Sequence, residues 1–204
     1  IIQSGNTIKT ISEATNVLAI ATVEEDFPQD FGIYDLNEFI GVLGLVDTPH
    51  LKFEDEYVTI GDLSGRSKVK YFFSSEEILT TPKKTITMPE ADVKFVLTQD
   101  TLNKIKKAAS ALGHEQVSIT GNNGILSLSV IDPENSTSNT FSIDVDGEFK
   151  DDITFNFIIN IGNLKILPGD YEVELSSKKI TQFKNKEVNV TYWIAQEKTS
   201  TFGV

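Results

Sequence analysis

The chain has 204 residues, of which 30 are acidic and 18 basic, giving a formal charge of −12. This acidic balance argues against a protein that simply coats nucleic acid, and the absence of cysteine excludes disulfides, thiol nucleophiles and thiolate metal sites. No apolar run approaches the roughly 20 residues that cross a bilayer and no signal peptide opens the chain, so we expect a soluble, intracellular protein without a membrane partner.

The first 73 residues alternate short β-prone runs with polar turns and contain one predicted helix. The runs predict strands at residues 7–11, 17–23, 31–34, 51–53, 57–60 and 68–73. The helix follows Asp35, a plausible N-cap, because apolar residues then recur at helical spacing. These apolar residues are Leu36, Phe39, Ile40, Leu43 and Val46. The helix carries Glu38 and no basic residue, so we expect it to contribute packing more than attraction for an anion.

A connector and a second helix follow. Residues 74–89 are rich in Ser, Thr and Pro and lack a helical period, which predicts an extended connector. Residues 92–97 alternate as a strand and lead into a helix over residues 98–112. Thr98 is its predicted N-cap, Asp100 complements the macrodipole, and Gly113 stands where a helix commonly ends in a left-handed residue.

The second helix has an apolar side and a lysine side. The apolar side consists of Leu102, Ile105, Ala109 and Leu112, and Lys104 and Lys107 project from the opposite side with Lys106 at the flank. Residues 98–112 carry three lysines and one aspartate, a net charge of +2 within a chain of −12. The lysine side is either an ordinary solvated surface or a surface for a polyanion, and the helix by itself does not decide between them.

The remaining residues repeat the order of strand, helix and three strands. Strands are predicted at residues 116–120, 124–131, 140–145, 153–159, 171–175, 179–183 and 188–195. Asn160 is the predicted cap of a short helix at residues 161–167, which carries Lys165 and is stopped by Pro168. Residues 31–73, 92–145 and 153–195 are therefore three βαβββ units, and the tail of a fourth precedes them. This pattern predicts an α+β protein of two similar domains.

No set of residues assembles into a catalytic or metal site. His50 and His114 lack a second ligand at metal-binding spacing, and the DxDG fragment at residues 144–147 lacks the flanking helices of a calcium loop. The acidic clusters at residues 24–26 and 54–56 lie at predicted turns, where solvated charge is expected. We therefore predict a protein that is not an enzyme and has no metal or cofactor.

Three blocks carry a resemblance to a known family. They are residues 30–46 (DFGIYDLNEFIGVLGLV), 82–89 (PKKTITMP) and 154–171 (TFNFIINIGNLKILPGDY). These blocks closely resemble the sliding clamp, or DNA polymerase processivity factor, of T-even-type tailed bacteriophages. The resemblance extends more loosely over residues 1–192, and the tail at residues 197–204 matches poorly.

The resemblance implies a DNA-clamp fold and a set of partners. Three subunits of two clamp domains each would close a homotrimeric ring, with outer antiparallel sheets and inner helices around duplex DNA. The polymerase is tethered after a separate ATP-driven clamp loader opens the ring, in the cytoplasm of the infected bacterium. We assign clamp domain 1 to residues 1–81, the end of the connector to 82–90 and clamp domain 2 to 91–204. The family has a strand and helix ahead of the residues that match Ile1, and we expect both to be missing from this sequence.

The resemblance also selects site residues. Lys104 and Lys107 are the first choices for facing DNA without reading its sequence, followed by Lys106 and then Lys165. The connector block implies that Ile86, Met88 and Pro89 form part of an apolar pocket for a partner peptide, although a buried strand edge explains them equally well.

The alternative from another class is an acidic β-rich structural or carbohydrate-binding protein. That function would need exposed aromatic platforms or a calcium site, and the sequence offers only Trp193 and scattered tyrosines.

Overall fold

The computed structural model describes residues 1–82, 86–122 and 124–203. The chain divides into two compact units. Unit 1 comprises Ile1–Thr10 and Ala21–Pro82, and unit 2 comprises Ile11–Ile20 and the described part of Lys83–Val204. The assignment of clamp domains to residues 1–81 and 91–204 stays a prediction, and residues 83–85 of the connector lie outside the described residues.

The described residues form fourteen strands and two α-helices, together with 3₁₀ turns at Glu76–Ile78 and Ile161–Asn163. The elements up to the connector are β1 (Gly5–Ile11), β2 (Val17–Phe27), α1 (Leu36–Leu43), β3 (His50–Phe53), β4 (Tyr57–Gly61) and β5 (Lys68–Phe72). The elements after it are β6 (Val93–Leu97), α2 (Gln99–Leu112), β7 (Gln116–Asn122), β8 (Ile125–Ile131), β9 (Phe141–Glu148), β10 (Phe155–Asn160), β11 (Tyr171–Ser176), β12 (Ile180–Asn185), β13 (Val190–Ala195) and β14 (Thr201–Phe202).

Unit 1 is built around an antiparallel sheet in the order β3-β4-β5. Its small core comprises Phe31, Phe39, Val58 and Ile60. Phe31 is its centre, because its ring lies 5.2 Å from that of Phe53 and 5.4 Å from that of Phe73, measured between centroids. Aromatic rings at such distances add to the energy of apolar burial.

Unit 2 is a large sheet that carries α2 on one face. The strand order is β2-β13-β12-β11-β6-β9-β8-β7-β10-β14, with residues 17–20 of β2 belonging to this unit. The core lies between the sheet and α2, where Leu102 and Ile105 of α2 are each 1% exposed. Two residue pairs join β6 to β9, Lys94 with Glu148 and Phe95 with Gly147. A Cβ at Gly147 would stand 2.2 Å from Leu126 Cδ1, so this junction requires glycine.

Two predicted elements of unit 1 differ from the structure. The strand predicted at residues 31–34 is wrong, because only Phe31 makes an isolated antiparallel bridge, to Ile2. Gly32 instead lies against Ser74, and the Ser74 N–H donates to the Gly32 carbonyl at 2.9 Å. The acidic residues 24–26 lie within β2 and not in a turn.

The predicted helix at residues 161–167 is also wrong in extent. It is a single 3₁₀ turn, Ile161–Asn163, so Lys165 lies in irregular backbone after it. The predicted cap is confirmed, since Asn160 Oδ1 accepts from the Gly162 N–H at 2.8 Å. Gly162 and Asn163 are poor helix formers and Pro168 follows closely, which leaves too few residues for a stable α-helix.

Candidate nucleic-acid interface

The ends of α2 are fixed by the residues that the sequence predicted. The Thr98 side chain accepts from the Thr101 N–H at 3.2 Å, and Gly113 is left-handed with φ 70°. The Gly113 N–H donates to the Ala109 carbonyl, which satisfies a terminal acceptor. Asp170 adds a contact that the sequence did not indicate, because its Oδ1 accepts from the Gln99 N–H at 2.8 Å. The caps set where the helix begins and ends, and the Asp170 bond joins its start to the residue before β11.

On the predicted apolar side of α2, Leu102, Ile105 and Ala109 are buried and Leu112 is half-buried. Lys107 is exposed, lies opposite the buried side, and has no carboxylate within 4.0 Å among the described residues. Lys104 is exposed too, but its Nζ lies 2.6 Å from Asp100 Oδ2, one helical turn earlier. Lys106 is half-buried, and the loss of hydration lowers the pKa of its ammonium group.

The ion pair of Lys104 was missed by the sequence reasoning. An acidic residue four positions before a lysine on one helix is a recognised pairing pattern, so the signal was present in the spacing. Lys165 is exposed, next to Leu164, which is buried in the same core cluster as the apolar side of α2. It does not stand on a helix as predicted.

The sheet face opposite α2 is acidic. Along β6, β9 and β11 side chains alternate between the core and this face. The carboxylates there are Asp144, Asp146, Glu148, Glu172 and Glu174. Lys94 also lies on it, and Glu174, whose Oε1 is 3.0 Å from Lys94 Nζ, raises the pKa of that ammonium group. Unit 2 therefore separates positive charge on the helix from negative charge on the other side of the sheet.

Two of the strands with open backbone edges carry opposite charges. Among the described strands β5 pairs only with β4, and residues 141–146 of β9 pair only with β8. The exposed positions of β5 include Lys68 and Lys70, and those of β9 include Asp144 and Asp146. Lys70 Nζ also stands 3.6 Å from the centroid of the Tyr57 ring, which limits the lysine to one side of the sheet. The sequence reasoning did not single out either edge.

The residues predicted for a partner pocket are half-buried. Ile86, Met88 and Pro89 lie in irregular backbone before β6. The structure also contains a cavity of about 360 Å³ that the sequence did not indicate. It is lined by Phe157, Ser177, Lys179, Gln196, Ser200, Thr201 and Phe202.

One polar group on this cavity is unusual. Gln196 is 7% exposed, and its Nε2 donates to the carbonyls of Ser176 and Ile180, each at 3.1 Å. Its Oε1 is buried and accepts no hydrogen bond from the described residues. An unpaired buried acceptor costs roughly 1–3 kcal/mol, so this amide oxygen lowers the stability of the fold around it.

No group of three or more His, Cys, Asp or Glu side chains is arranged to hold a metal ion within residues 1–82, 86–122 and 124–203. Over the same ranges, no helix has the length and apolar character needed to span a membrane.

Comparisons with known proteins give a consistent result. Residues 90–198 match the sequence model of a family described as gp45 sliding clamp, C terminal. The chain is 30% identical over 203 residues to the sliding clamp of Vibrio phage KVP40, covering 97% of this chain and 90% of that protein. It is 28% identical over 208 residues to the sliding clamp of Enterobacteria phage T4, covering 98% and 89%.

Solved structures resemble the chain in fold. The proliferating cellular nuclear antigen of Entamoeba histolytica superposes with a TM-score of 0.66 at 15% identity, over 97% of this chain and 87% of that one. The β subunit of DNA polymerase III from Thermotoga maritima superposes with a TM-score of 0.66 at 14% identity, over 95% and 55%. At such identities the likeness concerns the fold alone.

Proposed function

The chain belongs to the gp45 sliding clamp family, and from this premise we propose that three copies close into a ring around duplex DNA. As a member of that family it is a DNA sliding clamp and a polymerase processivity factor, in a family that is not catalytic. The finer proposals concern the face that meets DNA, the contact that closes the ring, and the site that holds the polymerase.

The charge separation across unit 2 is the observation that supports the orientation of the ring. DNA is drawn to a cationic surface and repelled by an anionic one. The lysines of α2 lie on one side of the sheet, and the carboxylates of β9 and β11 lie on the other. We therefore assign α2 to the wall of the hole and the acidic face to the outside of the ring.

Within α2 the lysines differ in their expected contact with phosphates. Lys107 comes first because it is exposed and carries no ion pair among the described residues. Lys104 comes second because Asp100 already binds it, and Lys106 third because it is half-buried. Lys165 is exposed, and we rank it last for contact with phosphates. Such contacts are independent of sequence and screened by salt, so they hold the duplex while it slides.

The two open edges support a contact between copies that closes the ring. We assign β5 of one copy to pair antiparallel with β9 of the next, because each edge offers unpaired backbone groups. Lys68 and Lys70 would then stand beside Asp144 and Asp146 on one face of the joined sheet. Opposite charges across neighbouring strands contribute about 0.2–1 kcal/mol for each pair. A ring closed in this way needs a separate ATP-driven loader to open it.

The polymerase contact has two candidate places on unit 2. The first is the apolar pocket at Ile86, Met88 and Pro89 that the resemblance implied. The cavity at Gln196 is the better formed of the two, because Phe157 and Phe202 stack in its lining and Ser177 and Thr201 add polar groups. A peptide that places an apolar side chain beside a polar group fits that lining. Because the relatives are phage proteins, we place this activity in the cytoplasm of infected bacteria.

Light scattering after size exclusion tests the ring directly. We expect a mass of three chains for the protein, and a lower mass at equal concentration for the double variant Lys68→Glu with Lys70→Glu. Adding Asp144→Lys and Asp146→Lys to that variant restores complementary charge and should restore the trimer. A double variant at Lys52 and Lys178, also to Glu, has the same net charge and should stay trimeric. A wild-type protein that is monomeric at high concentration rules out the ring.

A further inference from the structure

Asp100 and Lys104 form an ion pair on the side of α2 that we assign to DNA. The Oδ2 and Nζ atoms lie 2.6 Å apart, and the two side chains are 74% and 52% exposed. Both residues are exposed, and in the neighbouring pair Gln99 Nε2 donates to Asn103 Oδ1 at 2.9 Å. A carboxylate therefore stands among the lysines of the cationic surface.

This carboxylate competes with DNA for Lys104. A phosphate oxygen and Asp100 Oδ2 are both anionic acceptors. The nearby carboxylate offsets part of the Lys104 charge, so Lys104 attracts a phosphate less strongly. The competition is mild, because an exposed pair of residues four positions apart is worth only a few tenths of a kcal/mol. A ring of three copies would contain three such pairs, so small reductions in DNA affinity from each copy would multiply.

We propose that Asp100 is a positioning residue that weakens the contact between Lys104 and DNA and so keeps the clamp free to slide. This inference rests on the proposed function, because it requires α2 to face the duplex. It gives the acidic residue a role beyond stabilising the helix N-terminus, to which Thr98 already contributes a cap. The clamp then grips DNA less tightly than its lysines alone would allow.

The test compares three variants of the full chain as assembled trimers. Asp100→Asn removes the charge and keeps the size, Asp100→Glu keeps a carboxylate four positions from the lysine, and Glu172→Gln removes one exposed charge from the opposite sheet face, away from β9. Binding to a short linear duplex with free ends is measured by fluorescence anisotropy over a range of salt concentrations. Thermal unfolding followed by circular dichroism reports any loss of helix stability separately.

We expect Asp100→Asn to raise the affinity about twofold for each subunit that contacts DNA. The slope of log affinity against log salt should steepen by up to about 0.9 for each Lys104 that gains a phosphate. Asp100→Glu should behave as the wild type, and Glu172→Gln should leave the slope unchanged. A merely structural role for Asp100 would shift the unfolding temperature and leave the salt slope where it was.

The variant Lys107→Glu separates failure of this inference from failure of the proposed function. If Lys107→Glu weakens DNA binding while Asp100→Asn matches Glu172→Gln, α2 faces DNA and the role of Asp100 is wrong. If neither variant at α2 alters DNA binding, the assignment of α2 to the hole falls, and the inference falls with it.

Discussion

The helices α1 and α2 start in the same way and end up in different surroundings. Asp35 Oδ1 accepts from the backbone N–H groups of Asn37 and Glu38 at 2.9 and 3.1 Å, much as Thr98 caps α2. Both sequences repeat apolar residues at helical spacing. Yet α2 buries four residues and α1 buries only Phe39.

The difference lies in what each helix packs against. Helix α2 covers the broad sheet of unit 2, whereas α1 belongs to the small core around the three strands of unit 1. In α1, Leu36 and Ile40 are 58% and 56% exposed, although both lie on the predicted apolar side. Periodicity therefore identifies the side of a helix that can be buried, and the area of the neighbouring sheet decides how much of it is buried.

The largest expected effect comes from truncating the same residue type in the two helices. Ile105→Ala empties a buried site and should lower the free energy of unfolding by about 2–5 kcal/mol, whereas Ile40→Ala should change it by less than about 0.5 kcal/mol. Urea denaturation at one fixed protein concentration measures both, since the proposed trimer would make stability depend on concentration. Equal losses would mean that α1 has a covered apolar side after all.

The second expected effect separates the two helix ends. Gly113 has φ 70°, and a Cβ disfavours this left-handed region. We therefore expect Gly113→Ala to lower the free energy of unfolding by about 1–2 kcal/mol. Gly44 has φ −70° and ordinary contacts at its Cβ position, so Gly44→Ala should be neutral or stabilise by a few tenths of a kcal/mol. The same denaturation series measures both. A loss at Gly44 as large as that at Gly113 would contradict the assigned backbone conformations.

The sequence predicted the features that depend on neighbouring residues along the chain. The caps at Asp35, Thr98 and Asn160 and the left-handed end at Gly113 are all local, and all are confirmed. The bounds of α2 followed from them. The fold class and the family also followed, because three blocks of sequence resemble those of the phage clamps.

The features that were missed depend on distant parts of the chain. Gly32 meets Ser74, more than forty residues away, and this contact replaces the strand predicted at residues 31–34. The open edge of β9 follows from the strand order, which places β9 beside β6 through two residue pairs. The unpaired acceptor of Gln196 likewise becomes visible only when its surroundings are assembled. Local sequence patterns do not indicate which distant residues will be in contact.

The smallest expected effect concerns the N-caps of α1 and α2. It tests whether the two caps contribute equally to stability although the helices pack differently. Thr98→Ala and Asp35→Ala should each lower the free energy of unfolding by about 1 kcal/mol, because each leaves N–H groups at a helix start without their side-chain acceptor. Asp35→Asn and Thr98→Ser serve as controls and should lose a few tenths of a kcal/mol at most, since both replacements still cap.

The cooperativity of each unit decides what a deviation would mean. If Asp35→Ala costs nothing in global unfolding while hydrogen exchange in α1 speeds up, α1 opens locally and contributes little to the stability of unit 1. If both alanine variants cost the same, the helix starts are governed by the cap alone, and the contrast between α1 and α2 arises from the sheet beneath each helix.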